Sequence, residues 1–170
     1  MMLPPSKRGP VPTSQRMPAF PEGTRVRRME DSDVEQVGAI ESASFTTPWQ
    51  PATFRALLGR PGAHLRVLEV PPLTVAGYAV LWCIQGQAEL ANIAVARQLR
   101  DCCFGGYLLD RVTEEACTLG VESLYLEVRV SNARARAMYA SRGFREIGVL
   151  RDYYEKPRED ARLLMKQLLP

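Results

Sequence analysis

Histidine is almost absent from this chain of 170 residues: His64 stands alone. Cysteine is scarce and badly spaced for a scaffold, since Cys83, Cys102, Cys103 and Cys117 form no CxxC pair and no even framework of loop-sized spacings. These two absences exclude a structural zinc site and a disulfide-stapled fold, and they fit reduced thiols in the cytosol. No metal is expected. No run approaches the ~18 apolar residues that a membrane span needs. Prolines occupy the N-terminus where a signal peptide would carry an apolar stretch. The expectation is a soluble, cytoplasmic protein with no membrane partner. Charge of one sign is not concentrated either. The 22 Lys and Arg residues against 19 Asp and Glu leave a net charge of +3, with arginines spread along the chain rather than packed in a block. That balance is too mild to indicate nucleic acid as a partner.

What is present is a 46% hydrophobic content, enough to fill the core of one domain, expected to act as a monomer. Residues 1–22 differ from the rest. Pro4, Pro5, Pro10, Pro12, Pro18 and Pro21 are mixed with small polar and basic residues there, a composition that buries too little surface to offset its ordering entropy. This segment is expected to be a flexible tail ahead of a domain spanning residues 23–170.

The domain begins with a short strand over residues 25–29. Ser32 and Glu35 follow in capping-box spacing, and Val34, Val37, Ile40 and Ala43 share one helical face. Pro48 ends that helix, and Pro51 starts a second with Phe54, Leu57 and Leu58 facing inward. Residues 64–70, 74–84 and 88–95 read as three successive antiparallel strands. The period then changes. Leu108, Leu109, Val112 and Ala116 lie at helical spacing in a helix over residues 104–119, which Gly120 stops. A strand over 123–130, a short helix over 132–141 and strands over 144–150 and 161–168 complete a mixed α/β layer with no internal repeat.

Two segments carry candidate chemistry. In Asn92-Ile-Ala-Val-Ala-Arg-Gln-Leu-Arg-Asp-Cys-Cys-Phe-Gly-Gly106 a strand ends in a turn that opens onto an amphipathic helix. Such a turn offers unpaired backbone N–H groups and a positive helix end to a phosphate, although a plain strand-to-helix connection reads the same way. In residues 124–144, Glu127 lies mid-strand among apolar residues and Arg129 shares its face by the alternation of a strand. A carboxylate there is either half of an ion pair or a group that abstracts a proton. Tyr139 follows on a helix that Asn132 would cap; its phenol either anchors packing or donates a proton.

The order of these segments resembles the GNAT acetyltransferases, and within them the branch that acetylates the N-terminal alanine of a ribosomal protein. The resemblance covers about residues 24–168. It rests on Phe45 with Pro48-Trp49, on Glu89-Leu-Ala-Asn-Ile-Ala-Val95, and on Leu126-Glu-Val-Arg129 with Ser131-Asn132. Met138-Tyr139 with Gly143-Phe144, and Tyr153-Tyr154 with Glu159-Asp-Ala161, complete it. It implies a mixed, mostly antiparallel sheet whose central strands splay, flanked by about four helices. The pantetheine arm of acetyl-CoA would pair with Ile93, Ala94 and Val95. The pyrophosphate would sit on Arg100, Asp101, Cys102, Cys103, Phe104, Gly105 and Gly106, with Asn132 also touching the cosubstrate. Glu127 would take the proton of the acceptor amine, Tyr139 would protonate the departing thiolate, and Trp49, Tyr153 and Tyr154 would line the acceptor groove. The acceptor implied is a protein N-terminus. A lysine side chain and a small amine are alternatives, an acidic groove being the sign of the last.

The sequence departs from the family at one place. Its phosphate turn reads Arg or Gln, any two residues, Gly, any residue, then Gly or Ala, whereas here Cys103 stands where the first glycine belongs. A Cβ there demands a costly backbone angle or blocks the phosphate, and Asp101 adds negative charge beside an anion. Weakened acetyl-CoA binding is the corresponding expectation, with a catalytically weak binding module of the same fold as an alternative. A redox pair of Cys102 and Cys103 is a poorer reading, because adjacent cysteines do not bridge readily.

Overall fold

The computed structural model describes residues 20–168, so the tail expected over 1–22 lies almost wholly outside the described residues. Its last part, from Phe20, is described: the Phe20 ring packs 5.0 Å from that of Phe104 and 4.8 Å from that of Tyr107.

The elements run in the expected order. They are β1 (Arg25–Arg28), α1 (Val34–Ser44), α2 (Pro51–Leu57), β2 (Ala63–Val70), β3 (Leu73–Ile84), β4 (Gln87–Val95), α3 (Phe104–Thr118), β5 (Ser123–Arg129), α4 (Ala133–Ala140), β6 (Arg145–Glu155) and β7 (Arg158–Gln167). They form one seven-stranded sheet in the order β1-β2-β3-β4-β5-β7-β6, antiparallel except for β4 against β5. Gln85 and Gly86, with φ of 48° and 78°, make the two-residue turn between β3 and β4, the hairpin class whose twist matches its strands.

Helices cover both faces. Leu108, Leu109, Val112 and Ala116 of α3 are buried against the sheet together with Leu124, Leu126 and Val128 of β5. Each such large aliphatic side chain contributes roughly 1.5–3 kcal/mol. On the other face Val34, Val37 and Ile40 of α1 and Phe54 of α2 pack on Leu65, Val67, Tyr78 and Val80.

Three sequence expectations are corrected. The capping box is not Ser32 with Glu35. Arg27 holds the Asp33 carboxylate through two hydrogen bonds of 2.7 and 2.8 Å, and that carboxylate accepts the Glu30 N–H at 2.8 Å. The box therefore starts at Glu30, and a 3-10 turn over Asp31–Asp33 leads into α1. Ala43 faces solvent, and the buried stripe of α1 runs instead through Glu41, which is 1% exposed. The last two strands are longer than their apolar cores suggest, forming a hairpin that reaches Glu155 and Arg158. Among the described residues no helix is long and apolar enough to cross a membrane.

Candidate active site

The site begins where the sheet divides. β4 and β5 pair over only three rungs, Gln87 with Ser123, Ala88 with Leu124 and Glu89 with Tyr125. Beyond them β4 stays with β3 as far as Val95, and β5 stays with β7 as far as Arg129. The cause of the parting is local. Asn92 pairs with Val80 and Leu90 with Leu81, so Ala91 is an extra residue, and a bulge of this kind bends its strand. The β4 edge from Leu90 to Val95, which includes Ile93 and Ala94, therefore has no strand beside it on the β5 side among the described residues. An extended amide chain pairs with such an edge as an added strand would.

The turn beyond Val95 presents donors. Arg97–Leu99 form a 3-10 turn, and Asp101 and Cys103 follow at φ of 68° and 65°. Among the described residues, none of the N–H groups from Asp101 to Gly106 enters a backbone hydrogen bond outside α3, whose first bond of this kind runs from the Tyr107 N–H to the Cys103 carbonyl at 3.0 Å. Successive unpaired N–H groups at the start of a fifteen-residue helix fit a pyrophosphate, and the CoA moiety fits this turn. Arg100 donates to the Val95 carbonyl at 3.2 Å and to Ser44 Oγ at 2.9 Å. It braces the turn against α1. A Cβ at Gly106 would displace the Arg142 guanidinium, which lies over it. Arg142 is held in turn by Asp110 at 2.7 Å.

The departure at Cys103 is thus resolved in favour of the backbone: a cysteine occupies the left-handed conformation that a glycine adopts freely, at a cost of roughly 1–2 kcal/mol. Asp101 does not stand as a bare charge, since it forms an ion pair with Arg134 of α4. Replacing Asp101 and Cys103 together by glycine is expected to stabilise the fold by about 1 kcal/mol and to tighten acetyl-CoA binding about tenfold. Denaturant unfolding and calorimetric titration measure the two effects, and an unchanged dissociation constant would show that neither side chain obstructs the phosphate.

At the division of the sheet stands Glu127. It is half-buried, and Arg129, its neighbour on the same face, is committed elsewhere. Arg129 pairs with Glu159 at 3.1 Å, donates to the Lys156 and Pro157 carbonyls and lies 4.0 Å from the centre of the Tyr154 ring. Glu127 has no salt bridge among the described residues. Burial pushes its carboxyl above the ordinary range, the nearby Glu89 pushes it further, and its own backbone N–H opposes both.

Tyr139 is 6% exposed and packs edge-on against Phe144 at 5.6 Å. Burial raises its phenol well above the ordinary value, and the Tyr154 phenol adds to the shift. It therefore carries its proton at neutral pH but parts with it reluctantly. Asn132 caps α4, its Oδ1 accepting the Ala135 N–H at 3.1 Å.

A groove of about 510 Å3 runs along the sheet from this point, lined by Trp82, Ile84, Glu89, Tyr125, Glu127 and Leu163. Of the three aromatic residues expected there, Tyr153 is 49% exposed and lies within electrostatic reach of both Glu127 and Glu89. Tyr154 sits under Arg129 and against Tyr153 at 5.1 Å. None of Trp49, Tyr153 and Tyr154 is among the residues that line this groove; the Trp49 ring packs on Phe54 at 5.6 Å, and the Trp49 backbone N–H donates to Glu41 at 2.8 Å. Sequence reasoning missed Trp82, Glu89 and Tyr125. Alternation would have found Tyr125, because residues 125 and 127 share a strand face; Trp82 and Glu89 come from other strands.

Sequence reasoning also missed Glu41. Its buried carboxylate accepts the Trp49 N–H, the Asn92 amide at 3.2 and 3.1 Å, and the Tyr78 hydroxyl. It ties α1, the start of α2 and two strands together.

A sheet that opens beside a donor-rich helix start, with a carboxylate at the opening, has the architecture of an acyltransferase. Comparison with known proteins makes the assignment particular. The model of the GNAT acetyltransferase family matches residues 34–144, and the chain belongs to that family. It is 33% identical over 138 residues to the ribosomal protein bS18-alanine N-acetyltransferase of Escherichia coli, covering 80% of this chain and 92% of that one. The Haemophilus influenzae enzyme of the same name is 32% identical over 132 residues, covering 78% and 88%. The crystal structure of the Escherichia coli ribosomal-protein alanine N-acetyltransferase superimposes with a TM-score of 0.80 at 31% identity, over 86% of this chain and 95% of that one. The chain is an N-acetyltransferase of a family that uses acetyl-CoA.

Proposed function

We propose that the protein transfers the acetyl group of acetyl-CoA to the α-amine of a protein N-terminus, with the N-terminal alanine of a ribosomal protein as the acceptor. The observation that carries this reading is Glu127: a half-buried carboxylate with no cation partner among the described residues, at the point where the sheet opens. The activity named for the relatives supports the choice of acceptor.

Acetyl-CoA supplies an activated thioester. The protein supplies position and proton transfer. The open edge of β4 and the donor turn hold the thioester, and the groove brings the amine to its carbonyl carbon. As the C–N bond forms and the C–S bond breaks, Glu127 accepts the proton of the amine and Tyr139 donates one to the thiolate. An α-amine has a pKa of about 8 and a lysine one of about 10.4, so the α-amine is deprotonated far more readily. A carboxylate whose pKa is raised is also the better base. Tyr139 faces a thiol of pKa about 8.5 from a phenol held above its usual value, so its proton moves only in concert with C–S cleavage and assists rather than drives the step.

The two carboxylates of the groove favour a second reading, a small cationic amine as acceptor. A mass-spectrometric screen separates the readings: peptides beginning with alanine or with other residues, a blocked lysine peptide and a polyamine are each incubated with acetyl-CoA, with Glu127→Gln as control. Acetylation at the α-amine of alanine-initiated peptides is the expected result. Acetylation confined to lysine side chains or to the polyamine would overturn it.

A further inference from the structure

We propose that Glu89 is a second acidic residue of the acceptor site, receiving the acceptor nitrogen as an ammonium ion and holding it beside Glu127. This rests on the acceptor reading above and adds a binding residue to it.

The problem it answers is one of charge. With a pKa of about 8, most of an α-amine population at pH 7 arrives protonated, so the groove must bind a cation before the base can act on it. A lone base that takes the proton loses the charge that drew the ammonium in. A neighbouring carboxylate keeps the potential negative throughout.

Glu89 is placed for this. It occupies the last rung that joins β4 to β5, opposite Tyr125, and Glu127 lies two residues further along the same face of β5. Strand spacings put the two Cα atoms roughly 8 Å apart, close enough for both side chains to reach a single nitrogen. Both line one groove. Neither has a salt bridge among the described residues. The other titratable and charged groups around them are Tyr125 and Arg129 of β5, Tyr153 and Tyr154 of β6, and Arg60, whose guanidinium stacks 5.2 Å from the Trp82 ring. Two carboxylates without a cation beside a half-buried position repel each other, and an entering ammonium relieves that repulsion. The raised carboxyl of Glu127 and the raised phenol of Tyr153 both register the charge of Glu89.

Steady-state kinetics on the full chain with an alanine-initiated peptide test the assignment. Glu89→Gln is expected to raise KM for the peptide about tenfold while kcat changes less than about twofold and the acetyl-CoA dissociation constant stays put. The pH profile adds a reading that a structural role would not move. Removing the negative charge lets Glu127 ionise at lower pH, so the acid limb of kcat/KM shifts downward. Glu89→Asp should recover most of the affinity, and Glu89→Lys should raise KM well beyond the glutamine variant. Unchanged KM and acid limb in Glu89→Gln, with the wild type active on the peptide, would overturn this inference alone. A wild type inactive on every α-amine would instead overturn the acceptor reading on which it rests.

Discussion

Glu127→Gln should lose between about a hundredfold and ten-thousandfold in kcat while binding acetyl-CoA as tightly as the native chain. It should also be the more stable protein at neutral pH. Burial and Glu89 raise the Glu127 carboxyl above its unfolded value, so over the interval between the two pKa values the folded state holds more protons than the unfolded one. Stability therefore falls as pH rises through that interval and stays lower above it. Glutamine has no proton to lose, and its melting temperature should exceed that of the native chain at pH 8 and converge toward it at pH 4. Rapid-quench turnover and thermal unfolding at the two pH values check both halves. A loss of activity below tenfold would move the base to another residue.

Glu41→Ala should cost about 3 kcal/mol of stability, the largest effect expected from any site away from the chemistry. The carboxylate is 1% exposed and serves donors from Trp49, Tyr78 and Asn92. Removing it leaves a buried hydroxyl, a half-buried amide and a backbone N–H without an acceptor, in addition to a cavity. For a domain of this size the melting temperature should fall by roughly 10 °C. Glu41→Gln retains one acceptor oxygen and should lose about half as much. Equal stability of the alanine variant and the native chain would mean that water or a shifted helix satisfies the three donors.

The fold was legible because its elements obey their periods. The stripe of Leu108, Leu109, Val112 and Ala116 is a helix facing a sheet, and each of its members is buried. The tip of the β6–β7 hairpin was not legible, for a physical reason. Apart from Pro157 in the turn, residues 151–160 are polar or aromatic on both faces, and they pair through backbone hydrogen bonds and ion pairs such as Arg151 with Asp160 and Arg158 with Asp152. Apolar alternation has nothing to register there. Glu41 escaped notice because helical spacing identifies which positions face inward but not that a charge would be buried at one. In the site, the backbone parts were readable from motif order. The partners of Glu127 were not: the choice between an ion pair and an open carboxylate depended on where the Arg129 guanidinium goes, and it goes to Glu159 and the hairpin turn. Glu89 lies 38 residues from Glu127 in sequence and meets it only through the short parallel ladder.

Cys103 gives the turn a property that a glycine cannot. Its thiol and that of Cys102 are exposed, on the segment whose N–H groups fit the pyrophosphate. An electrophilic reagent attached at that position would compete with an anion for the unpaired N–H groups of the turn. The substitution that strains the turn thereby makes this acetyltransferase chemically addressable.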